Sequence, residues 1–166
     1  MRFDSMEELV RHGFQGFASI ASLQASRCHE VPAEPGVYLV VRPDMTPPQF
    51  LDPGTGGFFK GKDPNVRPAT LRSEWVDQTV VVYIGKAGGP QGQATLRSRL
   101  WQYMQYGQGK TIGHQGGRYI WQLADSAHLQ ICWQPTPNEV PAVAESRLIQ
   151  EFKTVYGKRP FANLRD

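Results

Sequence analysis

Cysteine is scarce in this chain: Cys28 and Cys132 are the only two in 166 residues, and neither stands in a CxxC pair or beside a histidine cluster. That excludes a disulfide framework and a thiolate zinc site. Long apolar runs are also missing. Nothing approaches the roughly 20 residues that a membrane helix needs, and the opening MRFDSMEELV is too acidic and polar for a secretory leader. The expectation is a soluble protein of the reducing cytoplasm without a membrane partner. Acidic residues are absent from one interval in particular: none lies between Asp77 and Asp125, whereas Lys86, Arg97, Arg99, Lys110 and Arg118 all fall inside it. Trp101, Tyr103, Tyr106, Tyr119 and Trp121 are interleaved with those cations. The composition is that of a phosphate-tracking surface, or of a solvated face whose counter-charges come from elsewhere in the fold. The net charge of +3 is modest, so the argument rests on distribution.

What is present begins with two runs of strand-forming residues. PGVYLVV at Pro35–Val41 and TVVVYIGK at Thr79–Lys86 are rich in Val, Ile and Tyr, the types that fit a pleated, half-buried surface. Each carries a tyrosine near a glycine, and the second delivers Tyr83, Gly85 and Lys86 to its end, where a glycine permits close approach to the backbone. Leu129–Trp133 alternates as a third strand. Between the first two runs, 43–78 is rich in proline and glycine without a helical or strand period, and reads as an insertion that is functional or mobile. Its aromatics, Phe50, Phe58, Phe59 and Trp75, argue against full disorder.

Helical signals flank these strands. Asp4 or Ser5 caps a short helix ended by Gly13, while 16–32 has a mixed pattern with Ile20 and Leu23 as core candidates. Thr95 caps a helix through Leu96, Leu100, Tyr103 and Met104, with Arg99 at the edge of that apolar stripe and Arg97 pointing towards solvent. A glycine-rich loop holding His114 follows, and Arg118–Leu123 reads equally as helix or strand. In the last helix Asn138 is the expected N-cap, Pro141 lies in the first turn and Gly157 is the stop. Its stripe is Ala144, Leu148, Ile149, Phe152, Val155 and Tyr156. Glu145 falls in the middle of that stripe, and carboxylates are rarely buried unless paired or metal-bound. It requires a partner, and a structural pairing with Arg99 is one option.

These pieces, in this order, resemble the GIY-YIG nuclease family. Gly36-Val37-Tyr38 matches the first motif in a conservative variant, and Tyr83-Ile84-Gly85 matches the second. An arginine on the first core helix, a glutamate on a later one and a Pro-x-x-Asn element, here Pro160 to Asn163, follow as in that family. YIGKA followed by SRLWQYM is similar to the nuclease domain of the bacterial excision-repair incision subunit. The resemblance covers 35–166, leaves 1–34 as an N-terminal extension packed on the core, and is interrupted by the insertion at 43–78.

The resemblance implies an α/β (α+β) fold with a small central sheet of about three mainly antiparallel strands flanked by helices, and a metal-dependent endonuclease acting on DNA. It implies a catalytic set of Tyr38, Tyr83, Arg99, Glu145 and Asn163. Tyr38 would be the general base, Tyr83 its orienting partner, Arg99 the phosphate clamp and Asn163 a buttress. Glu145 would hold a single Mg²⁺, or Mn²⁺ in its place, since Mg²⁺ uses few protein carboxylates and keeps several waters. Gly85, Lys86, Tyr103 and His114 would support the site, and Arg97, Lys110 and Arg118 would contact nucleic-acid backbone. A free tyrosine ionises near pH 10, so ionising Tyr38 fully at pH 7 calls for roughly 4 kcal/mol of differential stabilisation. The alternatives are a non-cleaving nucleic-acid-binding module and a protein-interaction domain. RNA as substrate, a homodimer and a larger nuclease complex stay open.

Overall fold

The two tyrosine-bearing runs pair directly. In the computed structural model, which describes residues 1–89 and 92–165, they form β2 (Gly36–Val41) and β3 (Val81–Ala87), antiparallel, with Tyr38 opposite Gly85 and Val40 opposite Tyr83. Pro90 and Gln91, in the glycine-rich loop after Lys86, lie outside the described residues. On its other side β2 pairs antiparallel with β4 (Gln130–Pro135), which in turn pairs with β1 (Gln15–Ser19). The result is a four-stranded sheet in the order β1-β4-β2-β3, one strand more than expected. The additional strand comes from the segment whose pattern reads as mixed. Gly16 and Phe17 have φ of 98° and 53°, and the register shifts between Gln15 and Ala18. A bulged strand loses the strict alternation by which a strand is recognised.

Among the described residues five α-helices accompany the sheet: α1 (Met6–Arg11), α2 (Ile20–Ser26), α3 (Pro68–Glu74), α4 (Leu96–Gly107) and α5 (Pro141–Tyr156). Ser5 caps α1, accepting from the Glu8 amide at 3.3 Å. Thr95 and Ser98 form a reciprocal capping box on α4. The N-cap of α5 is Val140 rather than Asn138, because Pro141 is the first helical residue and forces its predecessor into extended backbone. Gly157, at φ 76°, ends that helix in the left-handed conformation.

α4 and α5 cover opposite faces of the sheet. Leu96, Leu100, Tyr103 and Met104 of α4 share a core with Tyr38, Val40, Val82, Tyr83, Ile131 and Trp133. Ala144, Leu148, Ile149 and Phe152 of α5 share the other with Val37, Leu39, Val41, Ile84 and Cys132. Val155, in the last turn of the expected stripe, is instead 48 % exposed.

The insertion is folded onto the body. Phe50 forms a bridge with Leu123, and Leu51 N–H donates to the Gln122 carbonyl at 2.7 Å. The buried Gln122 side chain accepts from Val66 N–H at 2.9 Å and donates to the carbonyls of Leu51 and Val66. Phe50 stacks on Phe161 with Trp75 edge-on to both. α3 lies within this segment. It escapes detection because its seven residues begin with proline and bury only Leu71, too few apolar positions to define a period. Arg118–Gln122 is a short 3-10 helix, neither the α-helix nor the strand left open by the sequence.

β3 is an edge strand, and the C-terminal segment covers its outer edge. Ala162 N–H donates to the Val82 carbonyl at 2.8 Å. The Asn163 amide accepts from Ile84 N–H at 2.9 Å and donates to the Ile84 carbonyl at 2.8 Å, standing in for a neighbouring strand. Among the described residues no helix is long and apolar enough to cross a membrane.

Candidate active site

Two local features bring the tyrosines together. The β2–β3 register shifts between Val40 and Val41, which leaves Val82 as an extra residue on β3. A bulge breaks the alternation of faces, so Val82 and Tyr83 both join the core under α4 while Val81 and Ile84 join the one under α5. Opposite Tyr38 stands Gly85. A Cβ there would lie 2.5 Å from the Tyr38 ring and 2.9 Å from that of Tyr83, so the glycine is the seat of both phenols. The rings are 6.0 Å apart between centroids and tilted by 60° to one another.

The phenols line a cavity of about 810 Å³ at the β3 edge. Lys86, Arg99, Arg118, Glu145 and Asn163 line it too, drawn from β3, α4, the 3-10 helix, α5 and the C-terminal segment. Among the described residues Glu145 is the single carboxylate in the lining, against the cations Lys86, Arg99, Arg118 and Arg165. Its partner is Lys86, whose ammonium contacts Oε2 directly. Arg99 does not pair with Glu145; its Nη1 donates to Gln102 Oε1 at 3.3 Å. That leaves a planar, permanently charged donor facing the cavity, suited to an anionic oxygen.

Burial governs the phenols. It pushes Tyr38 well above the ordinary tyrosine value, with Tyr83 and Glu145 adding to the effect and Arg99 opposing it. Tyr83 is pushed up to about 12, by burial and then Glu145, against Arg99 and the neighbouring Tyr38 hydroxyl. The depressed Tyr38 value that base catalysis at neutral pH would favour is therefore not present in the free protein.

The other residues of interest divide. Tyr103 is wholly buried beneath the pair, its hydroxyl donating to the Gly117 carbonyl at 2.6 Å. Gly117 itself has φ 72°, and a Cβ there would lie 2.3 Å from that hydroxyl. His114 is not in the cavity wall. It is fully buried and stacks on Tyr103 with ring centroids 4.2 Å apart. Neither ring nitrogen makes a regular hydrogen bond, although a backbone contact at Gly116 acts on the ring. Burial holds the imidazole well below its ordinary value. The glycine-rich loop thus buries a histidine expected at its surface. Arg97 turns away from the cavity, with Nε donating to the Val31 carbonyl at 2.8 Å. Lys110 is exposed outside the cavity wall. Arg118 lines it, its guanidinium over the Tyr119 ring at 5.4 Å and its buried Nε without a partner.

Gln102, Gln115 and Arg165 also line the cavity and were not singled out in the sequence. Gln102 follows Arg99 by one helical turn and Arg165 follows Asn163 by two residues, which is the signal their positions offered.

No cluster of three or more His, Cys, Asp or Glu side chains capable of holding a metal occurs among the described residues. Among the described residues a hard divalent cation here would depend on Glu145 alone among protein carboxylates. One carboxylate is compatible with Mg²⁺, which is commonly bound through one or two carboxylates plus waters and substrate phosphates, but the Lys86 ammonium occupies Oε2 and would have to give way. Compared with known family models, curated proteins and solved structures, the chain matches none.

Proposed function

We propose that the protein is a metal-dependent endonuclease of the GIY-YIG type acting on DNA. The observation that carries this reading is the convergence of Tyr38, Tyr83, Lys86, Arg99 and Glu145 on one cation-rich cavity. These residues are dispersed in sequence and include each part that phosphodiester hydrolysis needs: proton acceptors, a donor for developing negative charge and a hard oxygen ligand.

In this reading Arg99 holds a non-bridging phosphate oxygen, and Tyr38 first releases its own proton to solvent and then, as the phenolate that Arg99 favours, takes the proton of the attacking water. Glu145 would hold Mg²⁺ or Mn²⁺, which would supply Lewis acidity to the phosphate. Lys86 neutralises Glu145 until the substrate complex forms and then contributes to phosphate binding. Asn163 acts indirectly, fixing the strand between Tyr83 and Gly85 through both backbone groups of Ile84.

Supercoiled plasmid tests the reading. Wild-type protein with Mg²⁺ or Mn²⁺ is expected to yield nicked circles, and EDTA, Glu145→Gln or Tyr38→Phe to suppress nicking by at least about a hundredfold. Wild type that binds DNA but nicks in neither metal would favour the non-cleaving module, a reading to which the Lys86–Glu145 pair and the raised phenols lend support. Absence of DNA and RNA binding at low salt would leave the protein-interaction domain.

A further inference from the structure

The far end of the insertion is a tight hairpin. Lys62 N–H donates to the Phe59 carbonyl at 3.0 Å, the two residues form an antiparallel bridge, and Lys60 and Gly61 between them both have positive φ, 50° and 71°. Positive φ at both central residues is what a type I′ turn requires. The hairpin is anchored at its base by Gly57 N–H donating to the Tyr106 carbonyl at 2.9 Å, and by the Phe59 ring packed against Gly113. With Phe59 turned inward, Phe58 is turned out and is 53 % exposed, the one large apolar side chain of the tip left in solvent.

Its surroundings are cationic. Lys60 and Lys62 are exposed on the hairpin, and Lys110, whose backbone carbonyl abuts Gly57, is exposed beside it. The nearby carboxylate Asp63 is engaged by the backbone and side-chain N–H groups of Asn65. The tip is tied to the element that carries the site: Tyr106, whose carbonyl anchors it, lies on α4, the helix that brings Arg99 to the cavity wall.

An exposed aromatic beside a lysine-bearing turn is the arrangement that binds unpaired nucleotides: a base stacks on the ring while the cations follow the phosphates. A paired base offers no such face without being unstacked. We propose that this hairpin is a second nucleic-acid contact, in which Phe58 stacks on an unpaired base and Lys60, Lys62 and Lys110 hold the flanking phosphates. The nuclease so equipped selects DNA with a single-stranded segment next to the cleavage site over intact duplex. This inference rests on the nuclease reading above and names its substrate class.

The test is binding in EDTA, where cleavage does not interfere, using fluorescence anisotropy with a labelled single-stranded oligonucleotide and the duplex of the same length. Phe58→Ala is expected to weaken single-strand binding by about tenfold and duplex binding by less than about twofold, with Phe58→Trp restoring the former. Lys60→Gln combined with Lys62→Gln should weaken both and lower the single-strand salt slope by about 1.4. Thermal unfolding of each variant checks the fold, which an exposed ring should not disturb. Unchanged single-strand binding by Phe58→Ala, or an equal loss on both substrates, overturns the inference. If the wild type nicks plasmid while Phe58→Ala behaves in this way, only the inference falls. If discrimination through Phe58 is seen without nicking, the nuclease reading falls and the single-strand contact stands. Wild type that binds neither oligonucleotide overturns both.

Discussion

His114 shows what burial does to a single titratable residue. In the unfolded chain its imidazole takes up a proton near pH 6.5. In the folded protein it is held well below that, chiefly by desolvation and further by Arg99. The unfolded state therefore binds more protons below pH 6.5, and the stability that depends on a neutral His114 is present above that pH and lost as pH falls below it. Between pH 7.5 and 5.5 wild type should lose about 1 kcal/mol more than His114→Phe, measured by urea unfolding of both at each pH. Equal losses would show that His114 takes up its proton in the folded protein as readily as in the unfolded chain. The same desolvation acts on Tyr38 and Tyr83, which is why residue identity alone misjudges how easily the phenols ionise. A motif specifies a tyrosine; the surrounding dielectric specifies its proton affinity.

At the scale of elements, β3 is the piece that has to be held. It is a sheet edge with a bulge at Val82, and edges leave unpaired backbone groups. The Asn163 amide satisfies both groups of Ile84. Removing it leaves a buried donor and acceptor without partners, at a cost of about 2 kcal/mol. Asn163→Ala should lower the urea midpoint accordingly, and Asn163→Asp should cost more, because a carboxylate oxygen would then face the Ile84 carbonyl. A stable Asn163→Ala that has lost nicking would instead place this amide at the substrate. The caps of α1 and α4 and the Gly157 stop were legible in the sequence because each is made within a few residues. β1 and α3 were not, the one bulged and the other carrying a single buried apolar residue.

On the scale of the whole molecule, the insertion separates two strands that pair as closely as a hairpin would. It does so as a packed layer, held by the Gln122 side chain and the Phe50, Trp75 and Phe161 cluster. Limited trypsin digestion of the native protein should therefore cut first after Lys60 or Lys62, at the exposed hairpin, and spare Arg72 until the body unfolds. Early cleavage after Arg72 would mean that the segment opens locally.

The sequence by itself determined the strand-forming runs, three of the helices with most of their ends, and the residue types of the candidate site, including a glutamate within an apolar stripe. These depend on local propensity, capping and periodicity, which act over a few residues. Only the tertiary structure decided that Lys86 rather than Arg99 meets Glu145, that the bulge turns Tyr83 under α4 with Tyr38, that His114 is buried and Arg97 is turned away. Charge pairing and desolvation are set by neighbours distant in the chain, and register is set by the whole sheet, so no short window of sequence contains them.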